Sequence, residues 1–258
     1  MSQRIAYCTD ADLNYAQSRH AFAPGAALTF DHAYRLAHLP LVAPQHPLVI
    51  HEIAGQDYRS GRYEKARHAL VVMIPPEALA SSPVFRAFES ELRTAPFAPK
   101  VDWELCARRA TKLHATVVNG LTVDAAKACV DAVSRTVRKL GPLSLRLGGP
   151  FAGDKNLGRL YFPVYPRRFN GDDAFGVIQD AAGTRRTRFY SVGYYNLVEE
   201  LDAAETASLA RLIDRWGPRT VAELPVTSFV VHATNDDLAL SARPVITIGA
   251  DGSVQRHA

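Results

Sequence analysis

Two identical triplets, His114-Ala115-Thr116 and His232-Ala233-Thr234, each fall near the end of an apolar, β-branched run, and this echo narrows the possible folds more than any other feature. The runs are Lys112 to Val118 (KLHATVV) and Val226 to Thr234 (VTSFVVHAT). Strand side chains alternate between faces, so each His shares a face with its Thr while the alanine between them points the other way. With nine His and 14 Thr in the chain, chance alone predicts about 0.5 such triplets, so the weight rests on the shared strand context.

Other segments fix the order of elements. Ala69 to Ile74 (ALVVMI) is a continuous apolar run that stops at Pro75-Pro76, as a buried strand does. Ser82-Pro83 is an N-cap and first-turn pair for a helix with Val84, Phe85, Phe88 and Leu92 on one face, ended by Pro96. Thr122 caps a second helix, closed by Gly141-Pro142. Leu143, Leu145 and Leu147 alternate with polar or small residues, and Arg159 to Tyr165 (RLYFPVY) follows as a neighbouring antiparallel strand. Asp202 and Glu205 form a capping box for a third long helix, closed by Gly217-Pro218; Pro244 to Ile248 (PVITI) is the last strand. Several strands are joined too briefly for helical crossovers. The expected class is therefore α+β, built on antiparallel sheet flanked by helices.

Thirty basic residues against 26 acidic ones give a formal charge of +4, a mild tilt toward anionic partners. Cys8, Cys106 and Cys129 form no CxxC pair, which indicates neither a disulfide framework nor a zinc knuckle. No basic patch with an apolar run opens the chain, and no stretch approaches 18 apolar residues. The expectation is a cytoplasmic protein without membrane contact. The remaining histidines, His46 and His51 among them, show no metal-ligand spacing, and no nucleotide-cofactor motif is present. Neither metal nor cofactor is expected. The adjacent acids Asp172-Asp173 and Glu199-Glu200 read as surface charges.

Two such strands brought together place two imidazoles and two hydroxyls around one point, the groups needed to cleave a phosphodiester. An imidazole titrates near neutrality, so one ring accepts a proton while the other donates one. Threonine hydroxyls donate to non-bridging phosphoryl oxygens. Lys112, two residues before His114, adds a cationic contact.

Over residues 66 to 250 the chain resembles the 2H phosphoesterases, a family named for paired His-x-Thr/Ser motifs that includes 2′,3′-cyclic phosphodiesterases and 2′-5′ RNA ligase-like proteins. The likeness covers ALVVMIPPEA, KLHATVV and the helix after it, the strand pair LSLRL and RLYFPVY, and the second motif. It implies a two-lobed, pseudo-two-fold fold with one motif per lobe, facing across a concave cleft. It also implies His114 and His232 as the acid-base pair, Thr116 and Thr234 as phosphate contacts, and a nucleotide or RNA cyclic phosphate or phosphodiester as substrate. A non-catalytic RNA- or nucleotide-binding module on the same scaffold is the alternative. The motifs are 118 residues apart, which implies an insertion within Arg167 to Leu197, and the second is followed by the polar Asn235-Asp236-Asp237. Residues 1 to 65, broken by Pro24, Pro40, Pro44 and Pro47, read as an N-terminal extension, and 251 to 258 as a polar tail. The aromatic residues Tyr161, Phe162, Tyr165, Tyr190, Tyr194 and Tyr195, with Arg159, Arg167, Arg168, Arg185, Arg186 and Arg188, are either core and solvated basic face or a base-stacking surface whose arginines contact phosphate.

Overall fold

A computed structural model describes residues 5–257. Up to Pro166 the strands are β1 (Tyr58–Arg59), β2 (Arg62–Met73), β3 (His114–Leu121), β4 (Leu143–Gly148), β5 (Phe151–Ala152) and β6 (Arg159–Pro166). Beyond it come β7 (Arg168–Phe169), β8 (Asp172–Asp173), β9 (Ser191–Asn196), β10 (Thr220–Val226), β11 (Ser228–Asp236), β12 (Arg243–Gly249) and β13 (Val254–Arg256). They build two main sheets, β1-β2-β11-β12-β13 with β3 also on β2, and β10-β4-β6-β5 with β9 also on β6, besides the β7-β8 ribbon. Every pairing is antiparallel. The result is a two-lobed α+β fold with helices against the sheets.

The caps act where the sequence places them. Ser82 Oγ accepts from Phe85 N at the head of helix Pro83–Thr94, and Thr122 Oγ1 accepts from Ala125 N ahead of helix Val123–Ala128. The Asp202–Glu205 capping box opens helix Ala203–Trp216. Gly141, at φ 68°, ends helix Val130–Leu140 in a conformation that costs a residue without Cβ little. Phe85, Phe88 and Leu92 are all buried, as their helical spacing requires.

The core face of the first sheet carries Leu70, Val72, Ala115, Val117, Phe229, Val231, Ile246 and Ile248, all buried. Residues before 66 share this core: Tyr15, Tyr34 and Leu39 are fully buried within it. The Tyr15 hydroxyl lies 2.6 Å from Val164 O and 2.5 Å from Tyr190 O and accepts from Val164 N at 3.0 Å. At the other end of the chain, β13 pairs with β12.

Between Arg167 and Leu197 lie β7, β8, helix Ala174–Ala181 and β9. Asp173 is not a surface charge: it is buried, caps that helix at Phe175 N (2.9 Å) and accepts from Tyr190 Oη at 2.6 Å. Tyr190, Tyr195 and Phe162 are core aromatics, and Arg186 is held between Asp172 and Asp180.

Candidate functional site

The two motifs meet, but not as one motif per lobe. β3 and β11 both pair with β2, in the same sheet, because the long β2 has two edges and each motif strand takes one. His114 lies opposite Met73 and Thr116 opposite Val71, while His232 lies opposite Ala69 and Thr234 opposite Arg67. The β2 partners are two residues apart throughout, so all four motif side chains emerge on one face of the sheet. The imidazoles of His114 and His232 meet edge to face, with ring centroids 5.6 Å apart.

This face is not an open cleft. Val71, which lies between Thr116 and Val230 on it, is fully buried, and His232 is 7% exposed. A cavity of about 780 Å³ lies elsewhere, between the segment Thr9 to Phe22 and the start of β10, and neither motif lines it.

Burial controls the charge of the pair. His114 is pushed down to about 4, first by burial and then by the fields of His232, Arg109 and Arg159, against the backbone carbonyl of Lys112. His232 is also lowered, by burial first and then by Lys112. Both rings are therefore neutral at pH 7 in the ligand-free protein. Lys112 O accepts from His114 Nδ1 at 2.8 Å. A carbonyl only accepts, so Nδ1 carries the proton and the other ring nitrogen keeps its lone pair. His232 Nδ1 has no partner among the described residues.

The other two predicted groups are already engaged. Thr234 Oγ1 donates to Asp236 O (3.1 Å), lies 3.1 Å from Ser241 Oγ and accepts from Asp236 N (3.4 Å). Lys112 Nζ donates to Leu240 O rather than pointing along the face of β3. Both contacts arise because the polar stretch after the second motif folds back as a tight loop, Asp236 to Ala242. The buried Asp236 carboxylate organises it, accepting from Leu238 N (3.1 Å), Leu240 N (2.8 Å), Ser241 N (2.8 Å) and Ser241 Oγ (2.6 Å).

Sequence reading passed over Arg109, which ends helix Trp103–Arg109 and is nevertheless 2% exposed. Its Nε donates to Leu238 O (3.0 Å) and its Nη1 to Gly193 O (3.1 Å). Arg159, at the start of β6, donates from Nη2 to the same Gly193 O (3.1 Å) and from Nη1 to His38 Nε2 (3.0 Å). No local signal separates these arginines from solvated ones, since what buries them comes from distant segments.

Among the described residues no group of three or more His, Cys, Asp or Glu is arranged to hold a metal, and no helix is long and apolar enough to cross a membrane. The three cysteines are free and buried, and burial pushes the Cys8 and Cys106 thiols up to about 12.

No protein-family model matches the chain, and no curated protein does. Solved structures do. A conserved protein of unknown function from Agrobacterium tumefaciens is 12% identical, over 71% of this chain and 87% of its own, with a TM-score of 0.42. The protein TT0787 of Thermus thermophilus is 13% identical over 72% and 99%, with a TM-score of 0.41. A protein described as a phosphoesterase is 14% identical over 72% and 98%, with a TM-score of 0.36. Function has to be read from the side chains of this chain itself.

Proposed function

We propose that the protein is a metal-independent phosphoesterase that hydrolyses a cyclic phosphate or phosphodiester of a nucleotide or RNA end. The observation that carries this reading is the pair of imidazoles 5.6 Å apart on one sheet face, one of them oriented by the Lys112 carbonyl. The neutral His114, with its free lone pair, takes a proton from water; the resulting hydroxide attacks phosphorus. His232 in its protonated form gives a proton to the leaving ribose oxygen as the P–O bond breaks, which yields a phosphomonoester and an alcohol. Thr116 contributes a hydroxyl to a non-bridging oxygen, and Thr234 does so once freed from Ser241.

The test is hydrolysis of the four nucleoside 2′,3′-cyclic monophosphates in excess EDTA, followed by phosphorus NMR. Turnover that survives EDTA supports the mechanism, and the product isomer identifies the bond broken. Turnover that EDTA abolishes overturns it. A second reading, ligand binding without turnover, is favoured by the neutrality of both rings, which leaves the pair without an acid until a ligand changes its surroundings. A cyclic nucleotide or short RNA that binds and is recovered intact supports that alternative.

A further inference from the structure

Two guanidinium groups lie in the interior with no carboxylate within ion-pair distance among the described residues, although Asp236 acts on Arg109 and Asp237 on Arg159 from further off. Arg109 is 2% and Arg159 9% exposed, and neither forms an ion pair among the described residues. Their partners are backbone carbonyls and one imidazole, and Arg159 Nε has no partner among the described residues. They converge on one atom, the Gly193 carbonyl. Glycine lets the guanidinium come this close, because a Cβ at that point would lie 2.2 Å from Arg159 Nε and push the side chain away.

The imidazole is His38, from the segment before the first sheet. An arginine can only donate, so His38 Nε2 is the unprotonated nitrogen and the ring is neutral. The proton is then on Nδ1, which also lacks a partner among the described residues. Buried cations without a directly paired counter-ion are unfavourable, and an anion held between them would offset that cost.

Both arginines reach His114 electrostatically, since their fields help to hold it neutral, and Lys112 does the same at His232. The loop after the second motif stands on the same cations: Leu238 O is on Arg109 and Leu240 O is on Lys112. A carbonyl is a weak partner for a cation compared with a phosphoryl oxygen, whose full charge makes a stronger hydrogen bond.

We infer that Arg109 and Arg159, with Lys112 at the rim, form a phosphoryl-binding subsite beside the histidine pair, in which the loop Asp236 to Ala242 sets its own carbonyls on Arg109 and Lys112 until a phosphate ester displaces them. The inference rests on the phosphoesterase reading for the kind of anion, not for the existence of the subsite. A bound phosphoryl group reverses the field at the two rings: Arg109, Arg159 and Lys112 gain an anionic partner, and the imidazoles face negative charge instead of positive. Protonation of a ring, unfavourable without the anion, then becomes favourable, so the substrate itself helps to create the acid.

The experiment compares inorganic phosphate with chloride at equal ionic strength, by thermal unfolding and calorimetry, on the wild-type protein, Arg159→Met and Arg109→Met. Phosphate raises the wild-type Tm by several degrees. In Arg159→Met the phosphate-free Tm is unchanged or higher, because an unpaired buried charge has been removed, while the response to phosphate is lost. An arginine that merely braces the fold gives the opposite result, a lower Tm with or without phosphate. A wild-type Tm indifferent to phosphate, or a methionine variant that keeps the full response, overturns the inference.

If a methionine variant does not fold, hydrogen exchange on the wild-type protein decides. Phosphate must accelerate exchange at residues 237 to 242, and unchanged exchange there refutes loop displacement. Activity separates this inference from the one it builds on. Arginine-dependent phosphate binding without hydrolysis of any phosphodiester leaves the subsite and removes the enzyme. Hydrolysis by a protein whose phosphate affinity ignores Arg109 and Arg159 does the reverse.

Discussion

Replacing Asp236 by Ala removes the one side chain around which the loop after the second motif is folded. Its carboxylate accepts four hydrogen bonds from Leu238, Leu240 and Ser241, at 2.6 to 3.1 Å, from a position 2% exposed. Bonds to a charged acceptor contribute about 1.5 kcal/mol or more each, so the gross loss is roughly 6 kcal/mol. About half returns when the freed loop amides find water, and the desolvation of a buried carboxylate is no longer incurred. A net loss of about 3 kcal/mol follows, which at a urea slope near 3 kcal/mol/M for a domain of this size lowers the midpoint by about 1 M. Urea unfolding followed by circular dichroism measures it. The same variant frees Leu238 O and Leu240 O from a fixed geometry, so it also binds phosphate more readily than the wild type. A midpoint shift below about 0.3 M, with unchanged phosphate affinity, refutes the view that Asp236 builds the loop that engages Thr234, Lys112 and Arg109.

The protein also loses stability on mild acidification. His38, His68, His114 and His232 all titrate below the ordinary histidine value because burial opposes their charge, His114 near 4. The unfolded chain therefore binds protons first. Stability is complete above about pH 6.5 and falls toward pH 4, by about 1.4 kcal/mol per pH unit for each histidine still neutral in the fold. Asp173 and Asp237, raised by burial, act in the opposite sense at the acid end. A Tm that is flat between pH 7 and 5 contradicts this. Tyr15→Phe removes the buried hydroxyl that bridges Val164 and Tyr190, while Val164 N keeps Tyr190 O as its acceptor, so the cost is about 0.5–1.5 kcal/mol; a loss within about ±0.3 kcal/mol by urea titration contradicts the tethering of the N-terminal segment through that hydroxyl.

Local chemistry was legible in the sequence where a single segment determines it. Ser82, Thr122 and Asp202 cap the helices their spacing marks, and the apolar runs at 69–74 and 143–147 are strands because nothing outside them is needed to explain their periodicity. β10 was not legible: Glu223 and Pro225 interrupt its pattern, and it is held as a strand by pairing with β4. Helix Ala174–Ala181 was hidden by its cap, because Asp173 beside Asp172 reads as surface charge until Tyr190 is brought to it. The site shows the same division. The two histidines could be named from their strands, but whether β3 and β11 belong to two sheets or to one depends on the long β2, whose two edges have no mark in the sequence. Thr234 and Lys112 were assigned to phosphate, yet both bond to the loop that begins at Asp236. Arg109 and Arg159 acquire their meaning only when Gly193, 34 residues beyond Arg159, is folded between them.

The central claim is that His114 and His232 act as one acid-base unit. The measurement is kcat on the best 2′,3′-cyclic nucleotide for the wild-type protein, His114→Ala, His232→Ala and the double variant, each shown to be folded by circular dichroism. Loss of either partner of a proton-transfer pair costs roughly 10²–10⁴-fold, and groups that act together are not additive. The account predicts that each single variant falls by that amount and that the double variant is little worse than the poorer single one. Turnover near the wild-type level in either single variant, or losses that multiply in the double, contradicts it.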